Sequence, residues 1–250
     1  MSKKKIIMMA LSIMMVAILA VGGTLAYFTS EDTADNVFTM GNVEIDLQED
    51  FEQNSNLQPG LDINKDVRVQ NTGTNDAYVR IHLAIPAIMD DGDPSFNASQ
   101  NFLHWNFATE SVADGQWSWI PEYTEGTGYK GNGAGNWNFY TQEIDGVDYN
   151  VYVATYRTAL KSGETTATDA ITNVYLDTSV NAVANKDEDG KVVSYTYTDN
   201  KGNEFTLTTE EAKNITIKVW AEGTQTATFE NAYDALNAAF GVPGSYNPWN

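Results

Sequence analysis

Ala77-Tyr78-Val79-Arg80-Ile81-His82-Leu83-Ala84-Ile85-Pro86 places Val79, Ile81, Leu83 and Ile85 at every second position and then stops at proline. A period of two puts those side chains on one face of a β-strand, and Pro, which has no N–H, ends the ladder. Tyr78, Arg80 and His82 fall on the opposite face, which the pattern marks as the wetter one. Upstream, Ile63 to Val69 alternates in the same way, and Asn71-Thr72-Gly73-Thr74-Asn75 joins the two runs with turn chemistry. Val43, Ile45 and Leu47 begin an earlier strand, set off by Asn56-Leu57-Gln58-Pro59-Gly60.

Downstream, alternation resumes near Phe139, turns at Asp145-Gly146 and runs from Val147 to Tyr156, the signature of a hairpin. Ser162-Gly163-Glu164 is another turn, with a strand near Val174 to Val180. Turn clusters at Asp187–Gly190 and Asp199–Gly202 bracket a β-hairpin excursion near residues 185–208, ahead of a last core strand at Ile215, Ile217 and Val219. Phe229, Ala232, Tyr233, Leu236, Ala239 and Phe240 recur at helical spacing, with Gly241 and Pro243 as stops. Many antiparallel strands, no βαβ rhythm and one terminal helix imply an all-β fold: a jelly-roll-like antiparallel β-sandwich over residues 42–250 with a short C-terminal amphipathic helix.

The first residues have a different character. Lys3-Lys4-Lys5 precede an apolar run, Ile6 to Val21, and the small residues Gly22-Gly23-Thr24-Leu25-Ala26. Basic head, apolar centre and small residues before a cut are the order of a secretory signal peptide, here 1–26 with cleavage between Ala26 and Tyr27. The run is shorter than the ~20 residues that span a bilayer. The expected destination is outside the cell or at its surface.

The formal net charge is −20 at pH 7, from 34 acidic and 14 basic residues. Nucleic acid is excluded as a partner, because phosphates demand clustered Lys and Arg. Cysteine is absent, which removes disulfides and thiol nucleophiles together. The two histidines, His82 and His104, are not at His-Glu-x-x-His spacing, and neither a Gly-x-Ser-x-Gly elbow nor a phosphate loop occurs. His82, alternating with core positions, is expected on an exposed strand face.

The residues thus point to a non-enzyme, with a secreted hydrolase as the weakest-supported reading, since carboxylate pairs are plentiful in so acidic a chain. No cofactor is implied. Asn185 to Gly190 imitates half of a calcium loop, but Thr196 stands where a bidentate Glu is needed, so a hairpin turn accounts for it better. Asp90, Asp91 and Asp93 form a second oxygen cluster that could meet Ca²⁺. Between residues 102 and 140 aromatics accumulate. Trp117, Trp119, Tyr129 and Trp137 are candidate surface rings for stacking on glycan or protein, set against the alternative that they pack a core.

The stretches Gly22-Gly23-Thr24-Leu25-Ala26-Tyr27-Phe28-Thr29, Phe38-Thr39-Met40-Gly41-Asn42-Val43-Glu44-Ile45, Leu57-Gln58-Pro59-Gly60, Val69-Gln70-Asn71-Thr72-Gly73, Ala77-Tyr78-Val79-Arg80, Leu160-Lys161-Ser162-Gly163-Glu164 and Trp220-Ala221-Glu222-Gly223-Thr224-Gln225 together resemble the TasA/camelysin family. Its members are exported by a SipW-type signal peptidase of Gram-positive bacteria. The resemblance covers both ends and most core strands, but neither the aromatic segment nor the excursion.

It implies a jelly-roll protein of the biofilm matrix that polymerises into fibres, the N-terminal segment of one copy completing the sheet of the next. Here that donor would be residues 27–41, anchored by Tyr27, Phe28, Val37, Phe38 and Met40. Partners would be other copies of the chain, the signal peptidase during export, and other matrix proteins or polysaccharide. The alternative is a surface binding module, for glycan or protein, built on the aromatic segment. Camelysin-like members also carry a metalloprotease label, which no zinc motif in this sequence supports.

Overall fold

The computed structural model describes residues 42–51, 58–90, 102–107, 117–119, 123–124, 128–129, 139–213 and 216–249. The signal peptide, the cleavage point Ala26/Tyr27 and the whole candidate donor segment, with Tyr27, Phe28, Val37, Phe38 and Met40, lie outside them.

Fourteen strands are described: β1 (Ile45–Phe51), β2 (Ile63–Asn71), β3 (Ala77–Pro86), β4 (Leu103–Phe107), β5 (Trp117–Ser118), β6 (Tyr123–Thr124), β7 (Gly128–Tyr129), β8 (Phe139–Ile144), β9 (Val147–Tyr156), β10 (Ile171–Leu176), β11 (Asn181–Lys186), β12 (Val192–Thr198), β13 (Glu204–Thr208) and β14 (Lys218–Gln225). One sheet runs β1-β2-β10-β4. The second runs β14-β3-β9, and both β5 and β8 pair with β9. All the pairings within these two sheets are antiparallel.

Val67 and Val69 of β2, Leu103 and Trp105 of β4, and Ile171 and Val174 of β10 meet Val79, Ile81, Leu83 and Ile85 of β3 and Tyr152 and Ala154 of β9 in one buried cluster. Burying such side chains removes apolar area from water at about 25 cal/mol per Å². The jelly-roll-like sandwich read from the sequence is therefore the observed fold. The Asp145-Gly146 turn is also observed, both residues adopting positive φ (53° and 79°), as a tight hairpin between twisted strands requires.

Three expectations are corrected. The opposite face of β3 is not wet: Tyr78, Arg80 and His82 are all buried. The C-terminal helix Ala232–Phe240 covers that face, with Ala232, Ala235 and Leu236 packing on Tyr78, and the tail places Trp249 against Ala84, Tyr149 and Val151. The last core strand begins at Lys218, after Ile217, and pairs with β3 through Gln225↔Ala77, while Ile215 lies outside the described residues. The excursion is wider than a hairpin, forming a three-stranded meander β11-β12-β13. Phe205 and Leu207 of β13 join the main core, and the Phe205 ring meets Phe102 at 4.6 Å.

Asp187–Gly190 does close the β11–β12 hairpin. The Asp187 carboxylate accepts from the amides of Asp189 and Lys191 at 3.1 and 2.9 Å, a side-chain turn that occupies the oxygen a calcium loop would spend on metal.

Candidate functional site

The backbone pins the first described residues, Asn42 to Glu44, to the corner at Thr72–Thr74. Thr72 N and Gly73 N donate to Glu44 O at 2.9 and 3.0 Å, and Thr74 N donates to Asn42 O at 2.9 Å. Asn42 N returns a bond to Thr74 Oγ1 at 3.0 Å. The Asn71 side chain organises this corner. Its amide donates to Asn75 O and Leu160 O at 2.7 and 2.9 Å, and its carbonyl accepts from Gly73 N at 3.0 Å.

Gly73 is required by close approach, since a Cβ there would overlap the Asn42 carbonyl and the Glu44 amide. Both neighbours are backbone, so neither yields easily. Gly73→Ala should therefore lower stability by about 1–3 kcal/mol, read by denaturant unfolding. Amide exchange at Thr72 to Thr74 should accelerate with it. Unchanged exchange would mean that Asn42–Glu44 is not seated as described.

Next to this corner, two sheet edges each have one strand neighbour among the described residues: β1 pairs with β2 and β14 with β3. Ile45 bridges the two strands by sitting over Gly223, where a Cβ would lie 2.6 Å from the Ile45 side chain. Strand edges with open N–H and C=O groups are where an extended segment can add.

Behind β14 lies a buried polar network that the sequence reading missed. Arg80 donates to Glu222 Oε2 at 2.6 Å, to Asn237 Oδ1 at 2.9 Å, to Gly241 O at 3.0 Å and to the Tyr246 hydroxyl at 2.6 Å. Tyr246 donates in turn to Glu222, and His82 Nε2 stands 3.2 Å from Glu222 Oε2. The other ring nitrogen, Nδ1, meets the Tyr140 hydroxyl at 3.0 Å, a set that satisfies a neutral imidazole. The network ties β3 and β14 to the C-terminal helix and tail. The only sequence hint was an Arg and a Glu placed inside otherwise apolar strands.

Burial holds His82 below its ordinary 6.5, against the pull of Glu222. Burial pushes Glu222 up, but the hydrogen bonds from His82 and Tyr246 and the charge of Arg80 outweigh that and hold the carboxyl at about 2, from 4.5. For both groups the unfolded chain binds the proton first as pH falls, so stability is lost with acidification. Melting temperature should fall as pH drops below 6.5 and fall further between 4.5 and about 2. His82→Gln should flatten the upper part of that profile. A wild-type melting temperature that does not change below 6.5 would contradict the buried neutral imidazole.

The aromatic candidates divide. Trp117 and Trp119 are not surface rings: both are fully buried, Trp117 Nε1 donates to Thr168 O at 3.0 Å, and its ring meets Tyr156 edge-on at 5.1 Å. Short strand β5, paired with the end of β9, turns Trp117 into the core. Tyr129 is described in its backbone alone, in the β6–β7 pair, and Trp137 lies outside the described residues. Of the calcium candidates, Asp90 is buried and accepts from Tyr152 at 2.7 Å, while Asp91 and Asp93 lie outside.

This arrangement defines a class: an all-β sandwich of jelly-roll type in which, among the described residues, the edge strands β1 and β14 meet beside the pinned corner at Asn42–Glu44. The family model described as camelysin metallo-endopeptidase matches residues 1–93. That match covers 93 of the 250 residues, and over them the chain is similar to that family. No curated protein matches the chain.

The family's description implies a metal, and the described residues do not fit one. His82 and His104 stand in opposite sheets and are engaged by Glu222 and by Asp177, the latter at 2.9 Å. Among the described residues no three of His, Asp or Glu gather as ligands, and cysteine is absent from the sequence.

Proposed function

We propose that the chain is a secreted, non-enzymatic structural protein of a bacterial extracellular matrix, which polymerises head to tail. Residues 27–41 of one copy complete a sheet of the next. The observation that carries this reading is the pinned corner at Asn42, which follows that segment directly in sequence and lies next to β1 and β14, each with one strand neighbour among the described residues. The family match over residues 1–93 supports it.

A head-to-tail joint does not close on itself and so extends into a filament. Tyr27, Phe28, Val37, Phe38 and Met40 would fill apolar positions at ~1.5–3 kcal/mol each. Association costs about 4–15 kcal/mol, so the backbone ladder has to contribute. Assembly would also depend on concentration and on salt that screens the net charge of −20.

The test is deletion of Tyr27–Phe38. Electron micrographs should show filaments from the whole secreted chain under screening salt and none from the deleted one, with circular dichroism of the two alike. Filaments that persist after deletion would overturn strand donation.

A further inference from the structure

The edges of this molecule are not equally protected. Edge strand β1 carries Asp46, Glu49 and Asp50, and β13 begins with Glu204 and is flanked by the short helix Thr209–Lys213, with Glu210 and Glu211. Charged residues on an edge oppose pairing with another chain. β11 lacks them. Asn181-Ala182-Val183-Ala184-Asn185 holds no charge and no proline, and Lys186 is the strand's single charged residue. Every residue of β11 except Asn185 is exposed, Val183 at 52%. Among the described residues β11 pairs with β12 alone. The ladder is regular from Asn181 to Asn185 and is interrupted only at Lys186, next to the hairpin turn.

We propose that β11 is a self-association edge, pairing antiparallel with β11 of a second copy about a twofold axis at Val183. The occupant follows from symmetry and charge. An antiparallel pair of identical strands is self-complementary, so one surface serves both partners. Copies of a chain with net charge −20 repel one another, and they come together where no carboxylate faces a carboxylate. With the axis at Val183, Val183 faces Val183, Ala182 faces Ala184 and Asn181 faces Asn185.

The meander geometry leaves room for this. Phe205 and Leu207 hold the β13 side on the core, while the β11 side stands in solvent. Two short strands bury far less than the ~1,200–2,000 Å² of a stable interface. The contact is therefore weak in dilute solution and acts where copies are already crowded or aligned, as between neighbouring filaments. It uses no residue of the 27–41 segment and stands independently of strand donation.

The absence of cysteine makes the test direct. Val183→Cys is introduced into the whole secreted chain, with Val242→Cys, 54% exposed and outside any strand, as the collision control. Both are oxidised at high protein concentration in screening salt. Opposed residues of an antiparallel pair lie ~4.5–5.5 Å apart at Cα, within disulfide reach. The Val183→Cys dimer should therefore form on the order of tenfold faster than the control.

Adding Asn181→Asp with Asn185→Asp, which sets carboxylates face to face, should return the rate to that of the control. The advantage should survive deletion of Tyr27–Phe38. Equal rates at Val183 and Val242 would overturn the proposal. So would a cross-link that requires Tyr27–Phe38, which would make it a by-product of the filament, or one that a foreign protein from the medium captures in place of the second copy.

Discussion

Glu222→Ala should cost the folded domain about 3–5 kcal/mol, because it leaves the Arg80 guanidinium charged and buried without its counter-ion. Arg80 is 1% exposed and Glu222 5%, so water cannot substitute. The acceptors that remain, Asn237 Oδ1, Gly241 O and the Tyr246 hydroxyl, are neutral. Single domains are stable by only ~5–15 kcal/mol, so the loss would take a large share of the total. The measurement is denaturant unfolding, with tryptophan fluorescence reporting the core and cleavage near the C-terminus reporting release of the tail. Replacing both partners by apolar residues of similar size, Arg80→Met with Glu222→Leu, should cost less than Glu222→Ala alone, since no charge is stranded. A loss below ~1 kcal/mol for Glu222→Ala, the size typical of an exposed pair, would contradict the buried network.

Trp117→Ala should cost about 3–5 kcal/mol, the range for truncating a large buried aromatic. The indole fills the core beside Tyr156 and satisfies Thr168 O, so the substitution leaves both a cavity and an unpaired carbonyl. A surface ring used for stacking on glycan would cost within about 0.5 kcal/mol when removed. Equilibrium unfolding therefore separates the two roles of this residue without any ligand. A loss below 1 kcal/mol would return Trp117 to the surface.

The contrast between these two sites shows what could be read in advance. The inward rows of β2 and β3 were legible because alternation is a local property, and the Asp145-Gly146 turn because its residues carry their own backbone preference. Arg80 and His82 were misplaced for the opposite reason. Their cover arrives from Asn237, Gly241 and Tyr246, more than 150 residues along the chain, and periodicity within one strand cannot register it.

Trp117 was ambiguous because β5 is two residues long and too short to show a period. β11 was passed over because, exposed on both faces, it has no apolar row to alternate. The helix Thr209–Lys213 was passed over although its capping box was present: Thr208 Oγ1 accepts from Glu211 N at 3.2 Å, and Glu211 accepts from Thr208 N at 2.8 Å. Of the proposed assembly apparatus, the sequence marks the apolar segment, while the corner at Asn71–Asn75 that pins Asn42 and Glu44 emerges only from the folded backbone.

Pulsed dipolar spectroscopy asks most directly where that segment goes. The cysteine-free chain would carry spin labels at Val37→Cys and Val147→Cys and be diluted into an excess of unlabelled chain before assembly. If strand donation holds, the labelled segment in the filament then lies in an unlabelled neighbour. Strand donation predicts that any short intramolecular distance disappears on assembly and gives way to a long, broad one. A short, sharp distance, identical before and after assembly, would place the segment in its own sandwich and contradict the account.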